Sequence, residues 1–212
     1  MFVSADLAFA YPGQPTIAFP DVRLESGERL LVLGPSGSGK STLLGLWAGL
    51  LTPKRGTVEL EGVRPHELPA RQRDRWRGRN VGLVFQQARL LASQSIAANV
   101  QLPRRLAGLA ALDRAQLDRR LGGLGIAQTA DRLPERCSVG ERQRAGIARA
   151  LATEPGLLLA DEPTSALDRA NAEAVAELLI EHASERRASL VVVTHDERLG
   201  AYFPRTITLQ PS

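Results

Sequence analysis

The stretch LVLGPSGSGKST at 31–42 has the residue types and spacing to hold a phosphate chain. Gly34, Gly39, Lys40 and Ser41 complete the pattern G-x-x-x-x-G-K-S, with Pro35, Ser36, Gly37 and Ser38 between them and Thr42 after them. Glycines at these positions let backbone N–H groups close around phosphate oxygens, and the positive end of the following helix adds to the attraction. Lys40 is placed to reach the β- and γ-phosphates, and the Ser41 hydroxyl to hold Mg²⁺. The bare alternative is a glycine-rich turn between strand and helix. Lys-Ser at the required place leaves that alternative little weight.

Four further groups extend the chemistry. LLLADEPTSALD at 157–168 ends an apolar run in two adjacent carboxylates, Asp161 and Glu162. A strand-end Asp can hold Mg²⁺ through water, and a following Glu can polarise the attacking water as general base. Strand alternation sends the two side chains to different sides, so they need not share a role. Thr194-His195-Asp196 follows another apolar run, at the strand end where ligand contacts gather in open α/β sheets. A neutral His195 imidazole could bond a γ-phosphate or orient a water. Gln86, after a third run, could ligate Mg²⁺ or hold a water; alone it is a weak signal. In CSVGERQRAGIARAL at 137–151, Ser138 and Glu141 have capping-box spacing, which describes a well-capped helix or a helix N-terminus aimed at phosphate.

The elements that must position these groups are legible in part. Leu30–Leu33, Val81–Phe85, Leu157–Ala160 and Leu190–Thr194 are continuous apolar runs, the pattern of parallel strands covered on both faces. A helix is expected over Ser41–Ala48. Another is expected over 171–187, with Val175, Leu178, Leu179 and His182 on one face and Asp168 as its cap. Val3–Phe9, Asp21–Leu24 and Thr57–Leu60 read as strands of a β-rich beginning, and Arg205–Gln210 as a last strand. The segment from 87 reads as a mostly helical insertion between two sheet strands, with a helix at Asp113–Leu121 and a Leu-Gly-Gly-Leu-Gly turn at 121–125. Nothing is left over for an appended regulatory domain.

At 212 residues and 43% apolar, the chain can bury a core without metals or disulfides. Its one cysteine, Cys137, excludes an internal disulfide and fits a reducing compartment. The N-terminus lacks a basic n-region, and no apolar run approaches the length of a membrane span. The charge balance of 27 basic against 23 acidic residues is a small excess, and only Lys40 and Lys54 are lysines. The dense stretch Arg64, Arg71, Arg73, Arg75, Arg77 and Arg79 reads as a solvated face. Trp76 alone makes a poor stacking platform for nucleic acid, so none is expected as a partner.

Together the ordered motifs resemble the ATP-binding subunits of ABC transporters over essentially the whole chain. The implied fold is α/β, a P-loop NTPase core with a mixed sheet and an N-terminal antiparallel β portion. Residues 1–86 and 152–212 would form that core, and 87–151 a helical subdomain carrying the signature. The resemblance implies ATP and Mg²⁺ as ligands, with Ser41, Gln86 and Asp161 at the metal and Glu162, His195 and Gln86 in catalysis. It implies that Tyr11 stacks on adenine, that Gln86 senses Mg²⁺ and the membrane subunit, that Ser165 and Asp168 lie in a loop crossing a dimer interface, and that His195 is the switch histidine. It also implies a head-to-tail dimer in which Ser138, Val139, Gly140 and Glu141 of one copy close over ATP on the other. A transmembrane permease, with periplasmic or substrate-binding components, would complete the assembly at the inner face of the cell membrane. The stretch RGRNVGLVFQQARLLASQSIAANVQLP looks like the lipoprotein-releasing and macrolide-efflux type.

The signature departs from the family's Leu-Ser-Gly-Gly-Gln. Ser138 and Gly140 remain, Val139 replaces a glycine, and Glu141 brings a negative charge that Arg142 and Arg144 could offset. Val139 is costly if its position needs positive φ and cheap if it is ordinary helix. A dimer that closes more weakly is the expectation. The competing readings are a soluble ABC-type ATPase acting on nucleic acid or ribosomes, and a regulatory module that binds ATP without turnover. The single cassette without CxxC weighs against the first, and Glu162 with His195 against the second.

Overall fold

The computed structural model describes residues 1–164 and 169–210, and 169–171 through the backbone alone. Two sheets pack face to face across a helix. The first is antiparallel and built around β1 (Phe2–Phe9), which pairs along one edge with β2 (Ile17–Ala18) and β3 (Val22–Leu24) and along the other with β5 (Arg55–Leu60). The β1–β5 register slips between Ala5 and Ala8, where Asp6 takes φ 54°. Gly56 faces this bulge at φ 86°, and a Cβ there would lie 2.3 Å from the Asp6 carbonyl oxygen, so only glycine fits.

The second sheet is parallel, in the order β6-β7-β8-β4-β9. It contains β4 (Arg29–Leu33), β6 (Val81–Val84), β7 (Leu157–Asp161), β8 (Ser189–Thr194) and β9 (Thr206–Thr208). The four apolar runs are β4, β6, β7 and β8, within a residue or two of their expected bounds; β7, β8 and β4 are the inner strands and β6 lies at one edge. Alternation divides their side chains between two cores. Leu30, Val32, Leu157, Leu159, Val191 and Val193 pack with Trp47 of α1 (Lys40–Trp47) and with Phe2 and Val58 of the antiparallel sheet. Leu31, Leu158, Leu190 and Val192 pack on the opposite face with Ile147, Leu179 and the rest of the helical layer. The antiparallel portion is thus a separate sheet, joined to the parallel one through α1.

That helical layer is α3 (Ile96–Leu106), α4 (Arg114–Gly123), α5 (Val139–Leu151) and α6 (Arg169–Glu185). Val175 and Leu179 of α6 are buried and Leu178 and His182 half-buried, as the helical spacing requires. The proposed cap Asp168 lies outside the described residues. β6 and β7 are parallel neighbours, so the chain must travel from the C-terminal edge of the sheet back to its N-terminal edge between them. α5 makes that return. Its first residue therefore starts at the sheet edge where the other strand-to-helix loops gather.

Two local expectations change. The turn expected at 121–125 is half helix: α4 continues through Gly123, because Leu121 is fully buried and anchors the last turn, and the chain breaks at Gly125 with φ 67°. The arginine-rich stretch forms α2 (Ala70–Asn80), a helix with no fully buried residue. Arg71, Arg75 and Arg79 are solvated, but Arg73 and Arg77 are half-buried, and Arg79 Nε donates to the Ala107 carbonyl at 2.9 Å.

Candidate functional site

The C-terminal ends of β4, β6, β7 and β8 meet in an open cleft of about 720 Å³, lined by Tyr11, Gln14, Ile17, Pro35, Ser36, Gly37, Gly39, Lys40, Ser41, Thr42, Gln86, Glu162 and His195. The loop from β4 to α1 supplies its floor. Gly37 and Gly39 take φ 83° and 85°, conformations that strain any other residue. Gly39 is the N-cap of α1 and carries no side chain to cap it, so the first-turn N–H groups face the cleft without a side-chain competitor. Gly34 and Ser38 lie beneath the loop. Ser38 is buried, and a Cβ on Gly34 would come within 2.5 Å of its hydroxyl. Lys40 curls back over the loop, with Nζ 2.7 Å from Gly34 O and 3.0 Å from Pro35 O.

Glu162 faces Lys40 across this loop, Oε1 to Nζ at 3.5 Å. The two carboxylates part, as the sequence suggests, but through the backbone at Glu162 and not through strand alternation. β7 ends at Asp161, and Glu162 turns into the cleft through a left-handed backbone with φ 46°. Its N–H donates to Val193 O at 2.9 Å, its Oε2 accepts from Thr194 Oγ1 at 2.9 Å, and its Oε1 lies 3.0 Å from His195 Nδ1. His195 is therefore engaged with the carboxylate. Asp161 is not among the residues lining the cleft and lies beside Ser41. Burial pushes its carboxyl above the usual aspartate range, and the neighbouring Ser41 hydroxyl and Lys40 pull the other way. Its Oδ1 is buried without a hydrogen-bond partner.

Tyr11 stands at the mouth of the cleft. Its OH lies 3.2 Å from Thr42 Oγ1, and its ring meets Phe9 edge-on at 4.9 Å. Gln14 and Ile17 beside it had no signal in the sequence. In the sequence Thr194 stands out only as the neighbour of His195.

None of Ser138, Val139, Gly140 and Glu141 lines this cleft. They begin α5. Ser138 Oγ accepts from the Glu141 N–H at 3.1 Å, and the Glu141 carboxylate accepts from the Ser138 N–H at 2.7 Å, the reciprocal capping box expected. Val139 is the first helical residue, not a positive-φ position, so its backbone cost is small; its side chain is 57% exposed. The Ser138 N–H holds the Glu141 carboxyl below its usual range. The cation nearest that carboxylate is Arg132, at 3.9 Å, while Arg142 donates to the Cys137 carbonyl. Cys137, just before the cap, is buried, and burial pushes its thiol up. Ser165 and Asp168 lie outside the described residues.

Helix α5 is also tied to the loops around the cleft. Gln143 Nε2 donates to Pro163 O at 3.2 Å, next to Glu162. Arg149 donates to Ala88 O at 2.7 Å and Arg89 O at 2.6 Å, in the loop that follows Gln86.

Residues 20–165 match the family model described as ABC transporter. The chain belongs to the ABC transporter family. It is an ATP-binding cassette of that family, an ATPase on a P-loop fold. The lipoprotein-releasing system ATP-binding protein LolD 1 of Rhodopirellula baltica is 38% identical to it, over 94% of this chain and 90% of that protein. LolD of Psychrobacter arcticus is 41% identical, over 90% of this chain and 85% of that protein. Among solved structures, the dimeric post-hydrolysis state of the ATP-binding cassette MJ0796 bound to ADP and Pi superimposes with a TM-score of 0.87 at 32% identity, covering 99% of this chain and 94% of that one. Among the described residues, no helix of this ABC cassette is long and apolar enough to cross a membrane.

Proposed function

We propose that this cassette is the motor of a separate membrane permease, driven by ATP held between two copies of the chain. One observation carries the reading. The cleft contains a complete phosphate loop and a positioned carboxylate, while the capped N-terminus of α5, with Ser138 and Gly140, belongs to an element outside it. A second copy set head to tail brings that N-terminus to the open side of the phosphates, with the loop of Ser165 and Asp168 crossing between copies. The dimeric MJ0796 cassette supports this arrangement. Residues 87–151 act as the moving helical subdomain on a core of 1–86 and 152–212.

In the proposed cycle, Tyr11 stacks on the base. The N–H groups of Gly34–Thr42 and the Lys40 ammonium hold the phosphates, Glu162 takes the proton of the attacking water, and His195 and Gln86 face the γ-phosphate. The residues also fit a magnesium ion. Ser41 and Gln86 line the cleft, and Asp161, with its unpartnered Oδ1, lies beside the Ser41 hydroxyl; these few oxygens would suit a cation shared with phosphates better than an all-protein cage. Bound Mg²⁺ would neutralise charge building on the β- and γ-oxygens.

The permease is expected on the groove beside the loop after Gln86. This groove, of about 670 Å³ between α2, β6 and α3, has an apolar floor at Leu83, Phe85 and Leu102 and a rim at Arg71, Arg75 and Arg149. Leu106 on its edge is 73% exposed, a large apolar side chain that a partner would cover. The chain then works at the cytoplasmic face of the membrane, held there by the permease. The two LolD relatives support lipoprotein release as the permease's task. Affinity purification from membranes tests the reading: a multi-span permease should accompany the chain, and recovery with ribosomes or nucleic acid instead would overturn it.

A further inference from the structure

Thr194, the last residue of β8, is fully buried, and its hydroxyl is used twice. Oγ1 accepts from the Asp196 N–H at 3.0 Å and meets Glu162 Oε2 at 2.9 Å. These two partners fix the direction of the second bond. A backbone N–H can only donate, so it occupies a lone pair of the hydroxyl. An ionised carboxylate can only accept, so the hydroxyl proton goes to Oε2.

The other carboxylate oxygen has different company. Oε1 lies 3.0 Å from His195 Nδ1 and 3.5 Å from Lys40 Nζ, on the side of the phosphate loop. The His195 side chain is 63% exposed and stands beyond the end of the strand, so a ligand can displace it. Thr194 is a β-branched residue within the strand, with a stiff side chain. Its neighbours Leu190, Val191, Val192 and Val193 are all apolar and buried. A valine would fill the site of Thr194 equally well, and a hydroxyl is costly to bury unless it is bonded. The sequence places that hydroxyl where β8 meets the Glu162 carboxylate.

We infer that Thr194 is a positioning residue for ATP hydrolysis: its buried hydroxyl anchors Glu162 Oε2 to β8, so that Oε1 is the oxygen presented to the attacking water. The inference rests on the reading of Glu162 as the base. In the step it serves, the water oxygen bonds to the γ-phosphorus and the bond from that phosphorus to the bridging oxygen of ADP breaks. The water proton passes to Oε1, and Thr194 keeps its own proton throughout. Without the anchor the carboxylate rotates about its last torsion, which is broad, and presents Oε1 only part of the time.

The test compares T194V, T194S and E162Q in the purified full chain, by steady-state ATPase rate, ATP binding and thermal melting. A hydrogen bond to a charged group is lost in T194V, so kcat should fall about tenfold or more. KM and ATP affinity should stay within about twofold, since binding groups are untouched. T194S keeps the hydroxyl and should recover most of the rate. In the E162Q background T194V should have no further effect. A T194V rate within about twofold of the native rate overturns the assignment. So does T194S as slow as T194V, which would mean that the methyl matters, or a loss that falls on KM. If T194V does not fold, T194A against T194S makes the same comparison. An E162Q chain that still turns over removes the reading of the base itself, whereas an inactive E162Q beside a normal T194V removes only Thr194.

Discussion

A left-handed backbone at Glu162 costs about 1–3 kcal/mol in a non-glycine residue. The N–H bond to Val193 and the carboxylate's contacts with Thr194, His195 and Lys40 hold it there. Glu162→Gln keeps these dimensions and removes the base. ATP binding should persist while hydrolysis falls by about 10²–10⁴-fold, read by nucleotide binding and phosphate release on one preparation. Lys40→Ala acts on the other partner: it removes the cation of the phosphate loop and should raise the dissociation constant for ATP about 10–100-fold. Glu141 offers a third prediction. Its carboxyl lies below the ordinary range because of the Ser138 N–H, so it contributes stability above the unfolded carboxylate range, lost as pH falls through the folded value. Glu141→Gln can still close the capping box but cannot titrate. The melting difference between the two proteins should therefore shrink as the solution is acidified. With Glu162→Gln as a trap, Glu141→Gln or Val139→Gly should also tighten the ATP-bound dimer. If neither does, the unusual signature does not weaken closure.

Gly82 lies where β6 meets the end of α5, and a Cβ there would come within 2.6 Å of Ala150 O and 2.8 Å of Leu158 Cδ1. Gly82→Ala should cost about 1–3 kcal/mol in thermal or denaturant unfolding, because backbone and a packed leucine must give way. This contact holds the returning helix against the sheet, and it was not readable beforehand. The inner parallel strands were readable, because burial on both faces turns Leu30–Leu33 and Leu190–Thr194 into continuous apolar runs. β2 has two residues, too short for any period, and α2 buries no complete face, so Ala70–Asn80 showed arginines and no stripe. The phosphate loop was readable because its geometry admits few residue types. Thr194 and Gln14 were not: the first ends an apolar strand as threonines commonly do, and the second joins the cleft only through folding of a polar loop. The direction of Glu162 depended on one φ angle, which residue type does not encode.

At the scale of the molecule, α5 connects everything the proposed cycle must coordinate. Its N-terminus serves the second copy, Gln143 touches the turn after Glu162, and Arg149 grips the loop after Gln86 beside the arginine-rimmed groove. Charge reversal at the rim, Arg71→Glu with Arg75→Glu, should release the permease while leaving the ATPase rate of the isolated chain within about twofold, since rim charges govern association and not chemistry. Copurification and phosphate release measure the two arms. Cys137, the single cysteine, lies one residue before the helix cap, buried and with its thiol pushed toward the protonated, unreactive form. An alkylating reagent can modify only this site, and only as fast as the chain opens there. The native sequence thus contains a thiol clock beside the proposed contact between copies, and its slowing on nucleotide addition would time the closure of the pair without an introduced probe.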